Sequence, residues 1–342
     1  MQIVQGLQVY IFFGMINFIM KNWYFGRCVP VLLMIAVLLS GCHGKDREAQ
    51  RALRDSGIAK LTQGDYAGAG EDFSAAMELS GGRVSDAEID LCYYEAACYA
   101  LEEQYDKAVS RYTDLLTYDS GNAYAYYLRG SAYLDMEEDA KGLADYRVAA
   151  AKAPEDYELA IAIYQNLQAF GHKKESSEFL NRALEIDGDG ADNFYYRGRI
   201  YLLLGQDDLA KTAFLRAMDE GNDEAGIYLA QAFVRDGDKK SAKELIARYT
   251  GKDESDARQS VLTGRLLLEL GEYKQALAVY DKALAADEEG RSEYRPELLR
   301  GQISAYEFSG NFKKALAAAQ DYVAAYPSDA GMIREVEFLK TR

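Results

Sequence analysis

Few residues in this chain have the types and spacing that catalysis requires. His43 and His172 are its only histidines in 342 residues. A Ser–His–Asp triad needs a histidine beside its nucleophile, and zinc sites usually combine several histidine or cysteine ligands. Paired carboxylates such as Glu102–Glu103 fall in predicted turns, where charged pairs are ordinarily solvated. We therefore expect no catalytic residues, no metal site and no cofactor.

Cys42 points to a different kind of chemistry, a modification of its thiol. Residues 1–41 contain no acidic residue and two basic ones, Lys21 and Arg27. An apolar run follows these charges and ends in Leu39-Ser40-Gly41-Cys42. A basic n-region, a short apolar h-region and small residues before the cleavage site are typical of a secretory signal peptide. The tetrapeptide resembles the lipobox of bacterial lipoproteins, and this resemblance implies cleavage before Cys42 and its acylation.

The alternative for the same region is a transmembrane anchor, because residues 4–20 are also fairly apolar. Lys21, Asn22 and Arg27 separate the two apolar stretches, and neither stretch is long enough for a comfortable span. A start at Met20 would give a conventional basic leader. We therefore interpret residues 1–19 as an upstream extension from a mis-assigned start codon.

The amino-terminal prediction is a signal peptide over 1–41, followed by the lipidated cysteine and a short polar linker over 42–49. The implied location is a membrane, with the chain held by lipid and facing away from the cytoplasm. By the sorting rules of lipoproteins, His43 after the cysteine favours the outer membrane if the cell has two membranes.

Composition favours an all-α protein that does not bind nucleic acid. The net charge is −16 and no run of Lys and Arg occurs, so the surface repels phosphate backbones. Proline occurs only four times, while good helix formers are plentiful.

Cys92 and Cys98 lie six residues apart on one predicted helix, too far apart for an unstrained disulfide. We expect both to be small core residues.

A repeated phrase of about 34 residues determines the predicted fold. It is clearest as Gly271-Glu272-Tyr273-Lys274-Gln275-Ala276, a turn followed by a small residue, with Tyr280 four residues later. The small residue recurs at intervals of 39, 34, 34, 34, 32, 34 and 39 residues. Its copies are Ala69, Ala108, Gly142, Ser176, Ala210, Ala242, Ala276 and Ala315.

This phrase resembles the tetratricopeptide repeat. The resemblance implies a right-handed α-solenoid of about eight helix–turn–helix repeats over 50–328, capped by a C-terminal helix over 329–342. The repeats start near 50, 89, 123, 157, 191, 223, 257 and 296. The small residue lets the two helices of a repeat approach closely, and aromatic residues such as Phe73 and Tyr280 fill the gap to the next repeat.

The geometry of this family places positions 2, 5 and 9 of each first helix towards a concave groove. We predict that a stripe of aromatic and polar side chains in that groove binds a partner. The predicted groove residues are Tyr93, Tyr124, Tyr127, Gln165, Tyr195, Arg199, Gln231 and Arg265. The alternative is that neighbouring first helices pack on these same tyrosines. Tyr126 and Tyr196 are assigned to the core instead.

These features predict a membrane-anchored, monomeric scaffold that binds a protein or peptide and is not an enzyme. One alternative is an assembly factor for envelope secretion, pilus or outer-membrane machinery. A remote alternative is a glycan-binding protein or hydrolase. Some members of the family clamp a chaperone's C-terminal carboxylates with Lys at position 5 and Asn at position 9. The first three repeats lack that pair, so this partner class is not implied.

Overall fold

The computed structural model describes residues 40–249, 256–287, 290, 292, 294–327 and 329–342. Over these residues the chain is all-α, as predicted, with seventeen helices and no strand. The predicted signal peptide lies outside the described residues except for its last two. The helices are α1 (Ser40–Thr62), α2 (Tyr66–Glu78), α3 (Asp86–Leu101), α4 (Tyr105–Tyr118), α5 (Ala123–Asp135), α6 (Asp139–Lys152), α7 (Tyr157–Ala169), α8 (Lys173–Leu184), α9 (Ala191–Leu203), α10 (Asp207–Asp219), α11 (Ala225–Arg235), α12 (Lys239–Tyr249), α13 (Ala257–Glu269), α14 (Tyr273–Ala286), α15 (Arg295–Phe308), α16 (Phe312–Ala325) and α17 (Ala330–Leu339).

Helix α1 begins before the first predicted repeat. Residues 42–49, predicted as a linker, are helical and form its first turns. The stretch includes Lys, Arg, Glu and Ala, which are good helix formers. Gln50 is buried and anchors the helix, because its Nε2 donates to Ala76 O at 3.1 Å and to Glu88 Oε1 at 3.0 Å. Within the described part of the chain, no helix is both long and apolar enough to cross a membrane.

The chain divides into two compact units, the first ending at Ala183 and the second spanning Leu184–Arg342. Unit 1 contains α1–α8, and unit 2 contains α9–α17. In each unit the odd-numbered helices are the first, or A, helices of the repeats, and the even-numbered ones are the B helices. The last helix, α17, packs on α16 and ends unit 2.

In four of the eight repeats the A helix meets the B helix where a glycine lies against an aromatic ring. A Cβ added at Gly57 would lie 2.6 Å from Phe73 Cε1, and one added at Gly198 would lie 2.5 Å from Phe214 Cε1. No side chain fits at such distances, so the helices are held at a spacing that only glycine permits. The four pairs are Gly57–Phe73, Gly130–Tyr146, Gly198–Phe214 and Gly264–Tyr280.

The other repeats use other pairs of residues at these two positions; the second repeat, for example, keeps the aromatic Tyr112 opposite Ala96. In the last repeat the sizes are exchanged, since Ile303 on α15 and Ala319 on α16 occupy the two positions and both are buried. In the fourth repeat both positions are bulky, Tyr164 and Leu180, and α7 and α8 approach each other less closely than the glycine-bearing pairs. The combined size of the two side chains therefore sets the distance between the helices.

The small residues and turn glycines lie where the sequence predicts. All eight small residues are buried. The predicted turn glycines have positive φ values, for example 86° at Gly171 and 77° at Gly271. Glu103 and Glu137 hold the same turn position in the second and third repeats, each at a φ of 60°. Both cysteines of the second repeat, Cys92 and Cys98, are buried and free, as predicted.

The C-terminal helix α17 covers the end of the last repeat. Val336 and Leu339 are buried against α15 and α16, as the sequence predicts. The outer face is less polar than expected, because Phe338 is 47% exposed. Glu307 lies next to Glu335 of this helix, and burial together with that neighbour raises the pKa of Glu307 to about 7.

We expect Gly198→Ala to destabilise unit 2 by about 1–2 kcal/mol. The new methyl group overlaps the Phe214 ring, which outweighs the gain of about 1 kcal/mol that Ala brings to a helix interior. Urea denaturation followed by circular dichroism measures the change.

The matched control is Gly70→Ala, where the added Cβ lies 3.5 Å from Cys98 Cβ, an ordinary contact. This variant should be as stable as the native chain or more stable, by up to about 1 kcal/mol. Equal effects of the two substitutions would contradict the proposed role of the glycine–aromatic pairs.

Candidate functional site

Three tyrosines of the predicted groove are buried in the free chain. Tyr93, Tyr127 and Tyr195 are 6%, 2% and 3% exposed. The Tyr127 ring stacks on Tyr146, with ring centroids 5.5 Å apart. The prediction that these side chains form a solvent-facing stripe is therefore wrong, and the alternative, packing between neighbouring A helices, is correct for them.

The buried tyrosines bond to the following repeat. Tyr93 donates its hydroxyl to Asn122 Oδ1 at 2.8 Å, and Tyr195 donates to Glu224 Oε2 at 3.1 Å. In both cases the acceptor lies 29 residues later, directly before the next A helix. Asn122 also accepts from the backbone N–H of Ala125 at 3.0 Å, so one side chain caps α5 and receives the hydroxyl.

The same inter-repeat bond recurs with other residue types. Arg300 donates to Asp329 at 2.5 Å, again across 29 residues, and Asp329 caps α17. The half-buried Tyr124 donates its hydroxyl to Asp156 Oδ2 at 2.5 Å, and Asp156 caps α7. Sequence reasoning missed these bonds, although a polar donor followed 29 or 32 residues later by the residue directly before a helix is a visible signal.

Burial keeps the tyrosine hydroxyls protonated. Loss of solvation raises the pKa of Tyr93 and of Tyr127 well above the usual value for a phenol. The same cause raises the pKa of Tyr94 to about 12. The Tyr93 hydroxyl is therefore a neutral hydrogen-bond donor over the physiological range.

Tyr126 and Tyr196 were assigned to the core, and the structure corrects this. Each is only half-buried. The guanidinium carbon of Arg129 lies 5.4 Å from the centroid of the Tyr126 ring, and that of Arg199 lies 5.5 Å from the Tyr196 ring. The more buried member of each adjacent pair is thus the other tyrosine, while Tyr126 and Tyr196 pack against the core with part of their surface.

The predicted residues at position 9 remain accessible. Gln165, Arg199 and Gln231 are half-buried and Arg265 is exposed. Gln231 and Arg265 make no hydrogen bond or ion pair with any described residue. These two side chains have the donors and acceptors needed to bind another molecule.

Unit 2 brings several of these side chains onto one face. The guanidinium carbon of Arg199 lies 5.5 Å from each of the Tyr195, Tyr196 and Tyr228 ring centroids. Arg258 Nη2 lies 3.3 Å from the Tyr228 hydroxyl oxygen, to which it donates. We call the four residues Arg199, Gln231, Arg258 and Arg265, from the adjacent helices α9, α11 and α13, the arginine face.

No metal site is formed by the described side chains, since no three His, Cys, Asp or Glu residues among them could share an ion. His172 Nε2 lies 3.3 Å from Asp139 Oδ2 of the preceding repeat.

Within each unit the helix pairs and their periodic contacts form a fold of the tetratricopeptide type. A family profile described as "Anaphase-promoting complex, cyclosome, subunit 3" matches residues 155–283. The chain is 24% identical over 216 residues to Lipopolysaccharide assembly protein B of Escherichia coli K12, covering 59% of this chain. The matched stretch spans about half of that protein, 54% of its length.

Solved structures with the same type of fold are also similar. A tetratricopeptide repeat protein from Parabacteroides merdae aligns with a TM-score of 0.44 and 19% identity, covering 75% of this chain and 99% of that one. The Cut9–Hcn1 hetero-tetramer of the anaphase-promoting complex aligns with a TM-score of 0.41 and 11% identity, covering 84% of this chain and 55% of that one.

We expect Tyr93→Phe to lower the free energy of unfolding by about 0.5–1.5 kcal/mol, the usual net worth of one hydrogen bond. The ring and its packing remain, so the loss reports only the bond to Asn122. Urea denaturation of the purified protein measures it.

The control is Tyr118→Phe, at a tyrosine that is 60% exposed, where no change is expected. Equal stabilities of Tyr93→Phe and the native protein would show that the inter-repeat bond is not stabilising.

Tyr127→Ala is unsuitable as a binding test, because removing this buried ring would lower the free energy of unfolding by about 3–5 kcal/mol.

Proposed function

We propose that this protein is a lipid-anchored scaffold that binds a protein or peptide partner at the bacterial cell envelope. Its binding surface is the face formed by the A helices, and its task is binding rather than catalysis. The observation that carries the proposal is the row of accessible position 9 side chains on adjacent A helices of unit 2. Gln231 and Arg265 in that row have no partner among the described residues.

The physical argument is that the fold does not need these side chains for its own stability. Packing and inter-repeat bonding are supplied by buried residues such as Tyr195 and Phe214. Polar groups that bond to nothing within the protein are free of a competing internal interaction. An incoming chain therefore replaces only their bonds to water.

Anchoring to a membrane is proposed from the sequence around Cys42. Two or more acyl chains on one cysteine would hold the protein stably at a bilayer. The helix α1 runs from Ser40 into the first repeat, which would place the repeats directly at the membrane surface.

A second candidate, an assembly factor of the envelope, is favoured by one observation. The curated relative that matches over 216 residues is named for lipopolysaccharide assembly. The match covers part of each chain, and so it supports an envelope role without naming the partner.

A photo-crosslinking amino acid at Gln231 tests the binding surface in cells that produce the native protein. We expect discrete cross-linked species, because this side chain lies on the proposed face. The matched control is the same amino acid at Leu215, a side chain that is 49% exposed on the B helix α10 of the same unit. Equal cross-linking from both positions, or none from Gln231, would contradict the proposal.

Labelling with a radioactive fatty acid tests the anchor. We expect the native chain to carry label and sediment with membranes, whereas Cys42→Ser should carry none and remain in the soluble fraction. Cys28→Ser is the matched control, and it should behave as the native protein does. Label that persists in Cys42→Ser would show that this cysteine is not the acylated residue.

A further inference from the structure

The exposed phenylalanines of the described chain all lie towards the C-terminal end of unit 2. Phe308 ends α15 and is 61% exposed, Phe312 begins α16, and Phe338 lies near the end of α17. Every other described phenylalanine is buried or half-buried. Exposed apolar side chains gathered in one place are typical of a surface that another molecule covers.

Ring contacts join these side chains into one surface, which we call the aromatic edge and define as Tyr273, Phe308, Phe312 and Phe338. The half-buried Tyr273 ring stacks on the Phe308 ring, with centroids 5.7 Å apart. The guanidinium carbon of Arg342 lies 4.8 Å from the Phe338 centroid and 6.0 Å from the Phe312 centroid, so it contacts both rings. The edge is formed by helices α14–α17 and shares no residue with the arginine face.

The turn between Phe308 and Phe312 has backbone donors that are bonded within the chain. The N–H groups of Gly310 and Asn311 each donate to a carbonyl oxygen of α15 at 2.8 Å. The turn itself is exposed. Such a turn can enter a layer that is poor in water, because these N–H groups already have the bonds that such a layer cannot supply.

The exposed charges that adjoin the rings are basic, although the chain has 39 Lys and Arg against 55 Asp and Glu. Each of these cations is next to a ring residue in sequence, one residue further on, or in contact with a ring. They are Lys274, Lys313, Lys314 and Arg342, and all four are exposed.

Each carboxylate that adjoins a ring residue in sequence is engaged within the chain. Two of them form ion pairs, Glu272–Lys243 and Glu337–Lys340. The third, Glu307, lies next to Glu335, and burial together with this neighbour raises the pKa of Glu307 to about 7. These two carboxyls are therefore partly protonated at neutral pH, and positive charge predominates around the rings.

Aromatic rings with a rim of Lys and Arg match the surface of an anionic bilayer. Rings at such a surface lie at the boundary between the headgroups and the acyl chains, while the cations meet lipid phosphates. The rest of the chain is acidic and is repelled by an anionic surface. Contact is therefore confined to the part of the chain where apolar rings and cations occur together.

We infer that the aromatic edge inserts into the surface of an anionic phospholipid bilayer. This contact goes beyond the proposed scaffold function and is separate from the proposed acylation of Cys42. It would bring unit 2 itself to the membrane, with Phe308, Phe312 and Phe338 as the inserted side chains.

The fluorescence of a single tryptophan at the edge tests the inference on the purified full chain. Trp23 is the only tryptophan of the sequence, so Phe308→Trp in a Trp23→Phe background places the fluorophore at the edge alone. The probes are phosphatidylcholine vesicles with and without phosphatidylglycerol, with brominated acyl chains that quench a tryptophan in contact with them. We expect a shift to shorter wavelength and quenching with phosphatidylglycerol, both weakening as salt rises.

A charge variant tests the basic rim. In Lys313→Gln with Lys314→Gln, the lipid concentration for half-maximal quenching should rise about tenfold, from the loss of two cations near an anionic surface. The matched control is Lys173→Gln with Lys174→Gln, an adjacent exposed pair at the start of the B helix α8, which should leave that concentration unchanged. Circular dichroism establishes that each variant is folded.

The control for position is Leu215→Trp in the same background, at a side chain that is exposed on α10, where no quenching is expected. Quenching that is absent at position 308, equal at both positions, or independent of phosphatidylglycerol would overturn the inference. A spectral shift at position 308 that grows with protein concentration without lipid would also overturn it, since a second copy of the chain would then cover the edge.

The edge and the lipid anchor fail separately. If the native chain carries fatty-acid label but position 308 is not quenched, the anchor stands and the edge inference is wrong. If the native chain carries no label and position 308 is quenched as expected, the edge inference stands and the acylation of Cys42 is wrong.

Discussion

The close approach of the two helices in each repeat is the constraint on which the rest of the structure depends. A glycine on the A helix lies directly against an aromatic ring on the B helix in four repeats. In the last repeat the two positions are held by Ile303 and Ala319, so the larger side chain is on the A helix and the smaller one on the B helix. In these five repeats one of the two positions holds a large side chain and the other a small one, because a packed interior tolerates neither overlap nor a gap.

That spacing has consequences beyond the repeat itself. Once the helices of a repeat are held together, the next A helix packs into the adjoining groove, and its first residues come within reach of the previous A helix. The inter-repeat bonds of Tyr93, Tyr195 and Arg300 use this proximity, each reaching a residue directly before the following helix. Asn122 and Asp329 cap the helices that follow them, and each therefore both starts its own helix and ties it to the previous repeat.

The division between structural and available side chains follows from the same geometry. Position 5 side chains lie between neighbouring A helices and are occupied by packing and hydrogen bonding. Position 9 side chains lie one helical turn further on, where Gln231 and Arg265 have no partner among the described residues. Aromatic rings nevertheless contribute to the proposed binding face, because those of Tyr196 and Tyr228 support the guanidinium of Arg199.

The sequence by itself determined the helix class, the buried small residues and the turn glycines. Those features depend on local spacing and on the size of single residues, such as Ala276 or Gly271, and both can be judged along one chain. Only the tertiary structure decided that Tyr127 is buried while Tyr126 is half-exposed, although the two are adjacent in sequence. Adjacent residues point about 100° apart around a helix, and which of the two is buried depends on the side chains of the neighbouring repeats. For the same reason the inter-repeat bonds and the stacked arginine of unit 2 became visible only when the helices were placed side by side.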